Sequence, residues 1–234
     1  MSQAGASGPG RQIRFIEAGD LDVLCGKRGS SVSYTPQEQR ILDAALNVMV
    51  KHSISGTRMH LIAEEAGMAS SNLHYHFKTK QDLLLALLSE IQDRFDGKRE
   101  AVMDRPARNL RERLEVFFRQ KRDFILQEPR YDKVQFDYWL LGQSDDTVKR
   151  LFGTSFDHWR EHLIQSFLEF YPDMDPEYAK NLAFSLVSMM MGVSMQYLNG
   201  DGVDLDAYFA LCLDMVIGEI ERRYGPSLEK EKNS

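Results

Sequence analysis

Between residues 70 and 80 the chain gathers Ser70, Ser71, Asn72, His74, Tyr75, His76, Lys78 and Lys80, with no acid among them. Presented from a helix, such short hydrogen-bonding side chains reach base edges and phosphates in a major groove about 12 Å wide. A second cluster, His158-Trp159-Arg160-Glu161-His162, spells H-x-x-E-H, which places two imidazoles one helical turn apart with a carboxylate beside them. That set suits a zinc ion and an activated water, so a metal-dependent enzyme using His158, Glu161 and His162 is one alternative reading, and an interaction protein that uses the same scaffold without binding DNA is another. Zinc catalysis also needs a third ligand, an open coordination site and a cleft. The same helix turns Phe152, Phe156, Trp159 and Leu163 inward and leaves Ser155, His158, His162, Gln165 and Glu169 as an ordinary solvated flank. Gly26-Lys27-Arg28 fails as a phosphate loop, because six residues separate Gly19 from Gly26 and no Ser or Thr follows the lysine. Cys25 and Cys212 lie too far apart in sequence for a metal or redox spacing. No catalytic, metal or cofactor site is expected.

The elements that position the first cluster are legible. Thr35-Pro36-Gln37-Glu38 offers an N-cap, a proline at the first helical position and a glutamate at the third, a capping box. Ile41, Leu42, Ala45, Val48 and Met49 then repeat at helical spacing to about His52, with an end near Ser53–Gly56. Thr57 is expected to cap a short helix to about Ala66, and Gly67 to supply the left-handed residue that stops it. A second short helix is expected from about Ser70 to Phe77. Together they form a helix-turn-helix, with Ala63 small at the crossing and Leu73 the apolar anchor. Ile62, Ala66 and Met68 fill the remainder, Phe77 belongs to the core, and Tyr75 faces outward. Thr79 caps a longer helix striped by Leu83, Leu84, Leu87, Leu88, Ile91 and Phe95.

The rest is helical as well. Stripes begin at Leu110, Val134 and Leu151, two more occupy 176–199 and 204–224, and no alternating run suggests a strand. The fold expected is all-α with about nine helices: an N-terminal three-helix helix-turn-helix domain and a C-terminal helical domain. The divisions are a Gly/Ser-rich flexible arm at 1–33 with a short apolar patch (Arg14–Ile16, Leu21–Leu24), then 34–95, 96–225 and a tail at 226–234.

Composition bounds the rest. The 234 residues are 43% apolar and 27% charged, enough to bury a core without disulfides. No apolar run is long enough for a membrane span and no secretory leader is recognisable, so a cytoplasmic protein with no membrane partner is expected. The net charge of −6 is unevenly spread. Residues 27–80 hold seven basic residues (Lys27, Arg28, Arg40, Lys51, Arg58, Lys78, Lys80) against four acids (Glu38, Asp43, Glu64, Glu65), with four of the six histidines. A basic end on an acidic body is compatible with a polyanionic partner.

The segment Thr57-Arg58-Met59-His60-Leu61-Ile62-Ala63-Glu64-Glu65-Ala66-Gly67-Met68, then Asn72–Lys80 and Leu83, resembles the tetracycline-repressor (TetR/AcrR) family of transcription regulators. The resemblance covers residues 37–95. It implies a sequence-specific DNA-binding regulator, most often a repressor released from a palindromic operator by a small-molecule effector, acting as a homodimer. It also implies that Ser70, Ser71, Asn72, His74, Tyr75 and His76 face double-stranded DNA, with Lys80 on a phosphate and Thr57 adding a backbone contact. Ala69 stands where the family usually has a capping Ser, and Ser71 and His74 where it often has Gly and Tyr, so operator preference does not carry over. Dimerisation is implied through 176–199 and 204–224. Candidates for the effector pocket are Gln135, Tyr138, Trp139, Phe156, Trp159, Phe184, Met189 and Gln196, a lining suited to an apolar or cationic ligand. The run Phe136-Asp137-Tyr138-Trp139-Leu140-Leu141, with Trp159-Arg160, is similar to the body of the choline-responsive betaine regulators of that family.

Overall fold

The computed structural model describes residues 33–200 and 202–227, all within one compact unit. The reading of an N-terminal arm, apart from Ser33, and of the tail beyond 227 falls outside them, as does Cys25. The described residues form nine helices and no strand: α1 (Pro36–Gly56), α2 (Met59–Glu65), α3 (Ser70–His76), α4 (Lys80–Met103), α5 (Leu110–Gln127), α6 (Pro129–Leu141), α7 (Asp146–Phe170), α8 (Pro176–Leu198) and α9 (Leu205–Tyr224).

Local chemistry sets most of the boundaries. Thr35 and Glu38 form the reciprocal capping box at α1, and Thr79 with Asp82 forms another at α4. Asn109, Asp145, Asp175 and Asp204 accept backbone N–H groups at the starts of α5, α7, α8 and α9. Pro129 opens α6 rather than merely ending α5, since a first-turn proline forfeits no intrahelical bond.

Two departures from the sequence expectation matter for the site. The helix expected to end near Ser53–Gly56 does close at Gly56, but across an unforeseen break where Ser53 takes φ 53° and ψ 172°. The break removes the Ile54 N–H from the helical ladder, and the Asp137 carboxylate of α6 accepts it at 3.0 Å. The Ile54 carbonyl is taken by Lys80 Nζ at 2.6 Å. Secondly, Thr57 does not cap α2. It closes α1, fully buried, its hydroxyl donating to the Ser53 carbonyl at 2.7 Å, and α2 starts after Arg58 with no side-chain cap.

α4 joins the two ends of the molecule. Its first half buries Leu83, Leu84, Leu87 and Leu88 beside α1, and its second half carries Phe95, Arg99 and Val102 into the body. α1 packs on α6, α4 on α7, α7 on α8, and α5 on α9. The body's core runs from Leu114, Phe117 and Phe118 through Leu163, Phe167 and Phe170 to Leu186, Met190, Val216 and Ile220.

Candidate nucleic-acid interface and inner cavity

The turn between α2 and α3 is a Schellman motif: Met68 N–H donates to Ala63 O and Gly67 N–H to Glu64 O, both at 2.9 Å. It needs a left-handed residue, and Gly67 supplies φ 63°. A side chain there would also meet the Arg40 guanidinium at 2.9 Å. Leu73 is the fully buried anchor of α3, packed in the same core as Ile62, Ala63 and Ala66, with Phe77 closing the far end. Burying one leucine contributes about 1.5–3 kcal/mol, so α3 is held by its inner face and not by its own seven-residue length.

The outer face of α3 presents Ser70, Ser71, Asn72, His74 and Tyr75, all exposed, with Tyr75 at 63%. Ala69 stands at the N-cap and no side chain caps α3, so the absent serine is not replaced by a neighbour. His74 Nδ1 lies 3.1 Å from the Lys78 carbonyl. A carbonyl only accepts, so Nδ1 carries the proton and Nε2 of the neutral ring is left as an acceptor. His76 departs from the row. Its ring turns toward the start of α1, 3.8 Å from the Glu38 carboxylate, with 17% of the side chain exposed. Lys80 is half-buried with its ammonium on Ile54 O, and its pKa is lowered by burial and by the nearby Arg58. Thr57 is no part of the surface. Arg58, which the motif reading passed over, is exposed and braced on the carbonyls of Ser55 and Thr57 at 2.7 and 3.1 Å. A basic residue next to a cap position, at the mouth of a helix-turn-helix, was the available signal.

The H-x-x-E-H cluster does not assemble a metal centre. His158 Nδ1 pairs with Asp96 at 3.1 Å, and the buried Nδ1 of His162 has no partner. Burial and then the Arg99 charge hold His162 below the usual histidine range. Among the described residues no three potential ligands converge.

The body holds a cavity of about 20 Å³, partly open to solvent, between α4, α5, α6 and α7. Phe95, Phe117, Phe124 and Trp159 form aromatic walls, and Arg99, Gln120, Lys121 and Gln135 supply the polar groups. Of the eight pocket candidates only Gln135 and Trp159 line it. Tyr138 is fully buried elsewhere, its hydroxyl donating to Leu84 O at 2.7 Å. Trp139, Phe184 and Gln196 are exposed, while Phe156 and Met189 pack on the body's core. The two cations were missed, although their register marks them. Arg99 falls in the Ile91, Phe95, Val102 stripe, and Lys121 between Phe117 and Phe124.

Lys121 is paired with the buried Asp132 at 2.9 and 3.0 Å, and Asp132 also accepts from Ser194 at 2.9 Å. Arg99 pairs with Asp96 and reaches Ser155 Oγ at 3.3 Å, while its buried Nε bonds to nothing. Burial lowers the pKa of both cations, only partly offset by their carboxylates.

A helix-turn-helix joined to a helical body is an arrangement that can present a recognition helix to a DNA groove. Residues 41–87 match the family model described as bacterial regulatory proteins, tetR family. The match covers about a fifth of the chain, at its helix-turn-helix end. The chain is 41% identical over 68 residues to the HTH-type transcriptional regulator RutR of Escherichia coli strain K12, covering 29% of this chain and 31% of that protein. The chain thus matches about a third of the length of such relatives. Solved structures share the fold over more of the chain. A transcriptional regulator from Rhodococcus sp. Rha1 superposes with a TM-score of 0.68 at 17% identity, over 80% of this chain and 97% of that one. A regulator from Saccharomonospora viridis, solved in complex with choline, does so at 0.65 and 22% identity, over 82% and 98%. None of the helices described is long and apolar enough to cross a membrane.

Proposed function

We propose that this chain is a cytoplasmic, homodimeric transcription regulator, a repressor that a small-molecule effector releases from a palindromic DNA operator. The observation that carries this reading is the outer face of α3, where five exposed hydrogen-bonding side chains stand over a fully buried Leu73. No enzymatic step forms part of it.

A second surface supports the dimer. α8 and α9 lie side by side, with the Tyr208 hydroxyl donating to Met189 O at 3.3 Å and Arg223 over the Tyr178 ring at 4.3 Å. Phe184 and Met195 on α8, and Leu211 and Met215 on α9, are each more than half exposed. Against a second copy they form a four-helix bundle about a two-fold axis. Such a dimer sets two recognition helices about 34–36 Å apart, one DNA turn. The effector acts by a population shift: it favours a state in which that spacing is lost, typically with 1–3 kcal/mol of coupling.

Selection of genomic fragments by the purified protein, followed by footprinting, tests the reading. A paired, inverted site is expected. His74→Ala and Tyr75→Ala should each weaken binding to it by about tenfold, the loss of one good base contact, with dimerisation intact. Binding that is salt-sensitive but selects no sequence would overturn the assignment.

A further inference from the structure

Building on that regulator reading, we propose that the effector is a small organic anion, a carboxylate on a flat apolar group, whose charge Arg99 binds in the cavity between α4, α5, α6 and α7. Cations, amides and aromatic rings line this space, and no carboxylate does. The two nearby acids act from outside the wall. Asp132 is engaged by Lys121 and Ser194, and Asp96 by Arg99 and His158. Arg99 is 5% exposed and keeps a buried Nε–H without an acceptor, the group that an incoming carboxylate satisfies.

The aromatic walls argue against the opposite charge. A cationic ligand is recognised by ring faces, yet Arg99 already lies over Trp159 at 5.4 Å and Phe95 at 6.0 Å. A quaternary ammonium would displace the protein's own cation and then face both Arg99 and Lys121. This chain therefore differs in ligand class from the Saccharomonospora protein solved with choline.

Size ties the site to the switch. A volume of about 20 Å³ holds a water and no organic ring, so an organic ligand fits only if the helices that line the cavity, α6 among them, move apart. α6 is the helix that holds the break in α1 through Asp137 and the backbone of α4 through Tyr138. Filling the cavity therefore loosens the grip of the body on the DNA-binding end.

The full chain carries two tryptophans, and Trp139→Phe leaves Trp159 as a fluorescence reporter in the cavity wall. Titrations with benzoate and 2-naphthoate, benzamide, and benzyltrimethylammonium should show saturable quenching by a carboxylate. Benzamide should bind at least about tenfold more weakly, and the ammonium ion should give no signal. Arg99→Gln should lose the carboxylate preference while still selecting the same DNA. Arg99→Lys, which keeps the buried charge, should retain part of it and serves if the glutamine variant fails to fold. The proposal is overturned if benzamide or the ammonium ion binds as tightly as the carboxylates, if neither carboxylate quenches, or if both Arg99 variants bind them like the parent. Operator selection without ligand is measured on the same preparations. Selection without carboxylate binding sinks the anion site alone, whereas carboxylate binding through Arg99 without selection sinks the regulator reading alone.

Discussion

Asp137→Ala should cost about 2 kcal/mol of stability, an effect confined to one hydrogen bond across the joint between α1 and α6. The Ile54 N–H lies in a segment whose side chain is 7% exposed, and the Asp137 carboxylate is its acceptor at 3.0 Å. Deleting the acceptor of a buried N–H costs about 1–3 kcal/mol, and Asp137 is only half-buried, which argues for the middle of that range. Two kcal/mol lowers the folded-to-unfolded ratio by a factor of about 30. Asp137→Asn keeps an oxygen in place without its charge and should recover about half of the loss. Urea unfolding at constant slope reads both values. A competing relaxation exists: with Asp137 gone, rewinding of residues 51–56 into regular helix would give Ile54 N–H a helical partner. An alanine variant within about 0.5 kcal/mol of the parent would mean that rewinding is cheap and that the side chain does not hold the break. Ser53→Gly provides an independent check. Ser53 sits in backbone space that glycine tolerates far better, so the variant should be more stable by about 0.5–1 kcal/mol despite the added freedom of the unfolded chain.

Other outcomes follow from separate elements. Leu73→Ala removes the anchor of α3 and should destabilise by about 2–5 kcal/mol, with DNA binding lost in parallel; unchanged DNA affinity at full folding would contradict the anchoring role. Met215→Glu places a charge in the exposed stripe of α9 and should shift the protein from dimer to monomer in analytical ultracentrifugation; a persistent dimer would locate the interface elsewhere. Burial pushes the Glu128 carboxyl up, but hydrogen bonds from Lys98 and Arg94 outweigh it and hold the pKa below the ordinary 4.5. Its contribution is thus fully present above pH 4.5 and lost as pH falls through the lower folded value, so Glu128→Gln should flatten the acid limb of a melting-temperature profile. An acid limb identical to that of the parent would remove Glu128 from the account.

The helix-turn-helix end was legible because its determinants are local. Thr35 with Glu38, Thr79, Gly67 at φ 63° and the spacing of Ile62, Ala66 and Leu73 each specify their own few residues. The role of Thr57 was not legible, since whether a threonine caps the next helix or closes the last one depends on the break at Ser53, which in turn depends on Asp137, 83 positions away. The cavity was obscured for a similar reason. Aromatic and Met side chains look alike in sequence whether they face core, solvent or cavity, so Trp139 and Phe184 were grouped with Trp159 although only the last is inside. Arg99 and Lys121 carried the better signal, a charge in an apolar register, which indicates that something in the interior answers it.

One consequence of the length of α4 bears on how small a motion suffices. Lys80 and Arg99 are 19 positions apart on the same uninterrupted helix, a span of about 28 Å at 1.5 Å per residue. A tilt of about 4° pivoting near Arg99 carries the α3 end through roughly 2 Å, and in the proposed dimer two-fold symmetry would double the change in separation to about 4 Å, slightly more than the 3.4 Å step of one base pair. In the proposed regulator, a side-chain-sized adjustment at the cavity would thereby become a whole-base-pair error of register on DNA.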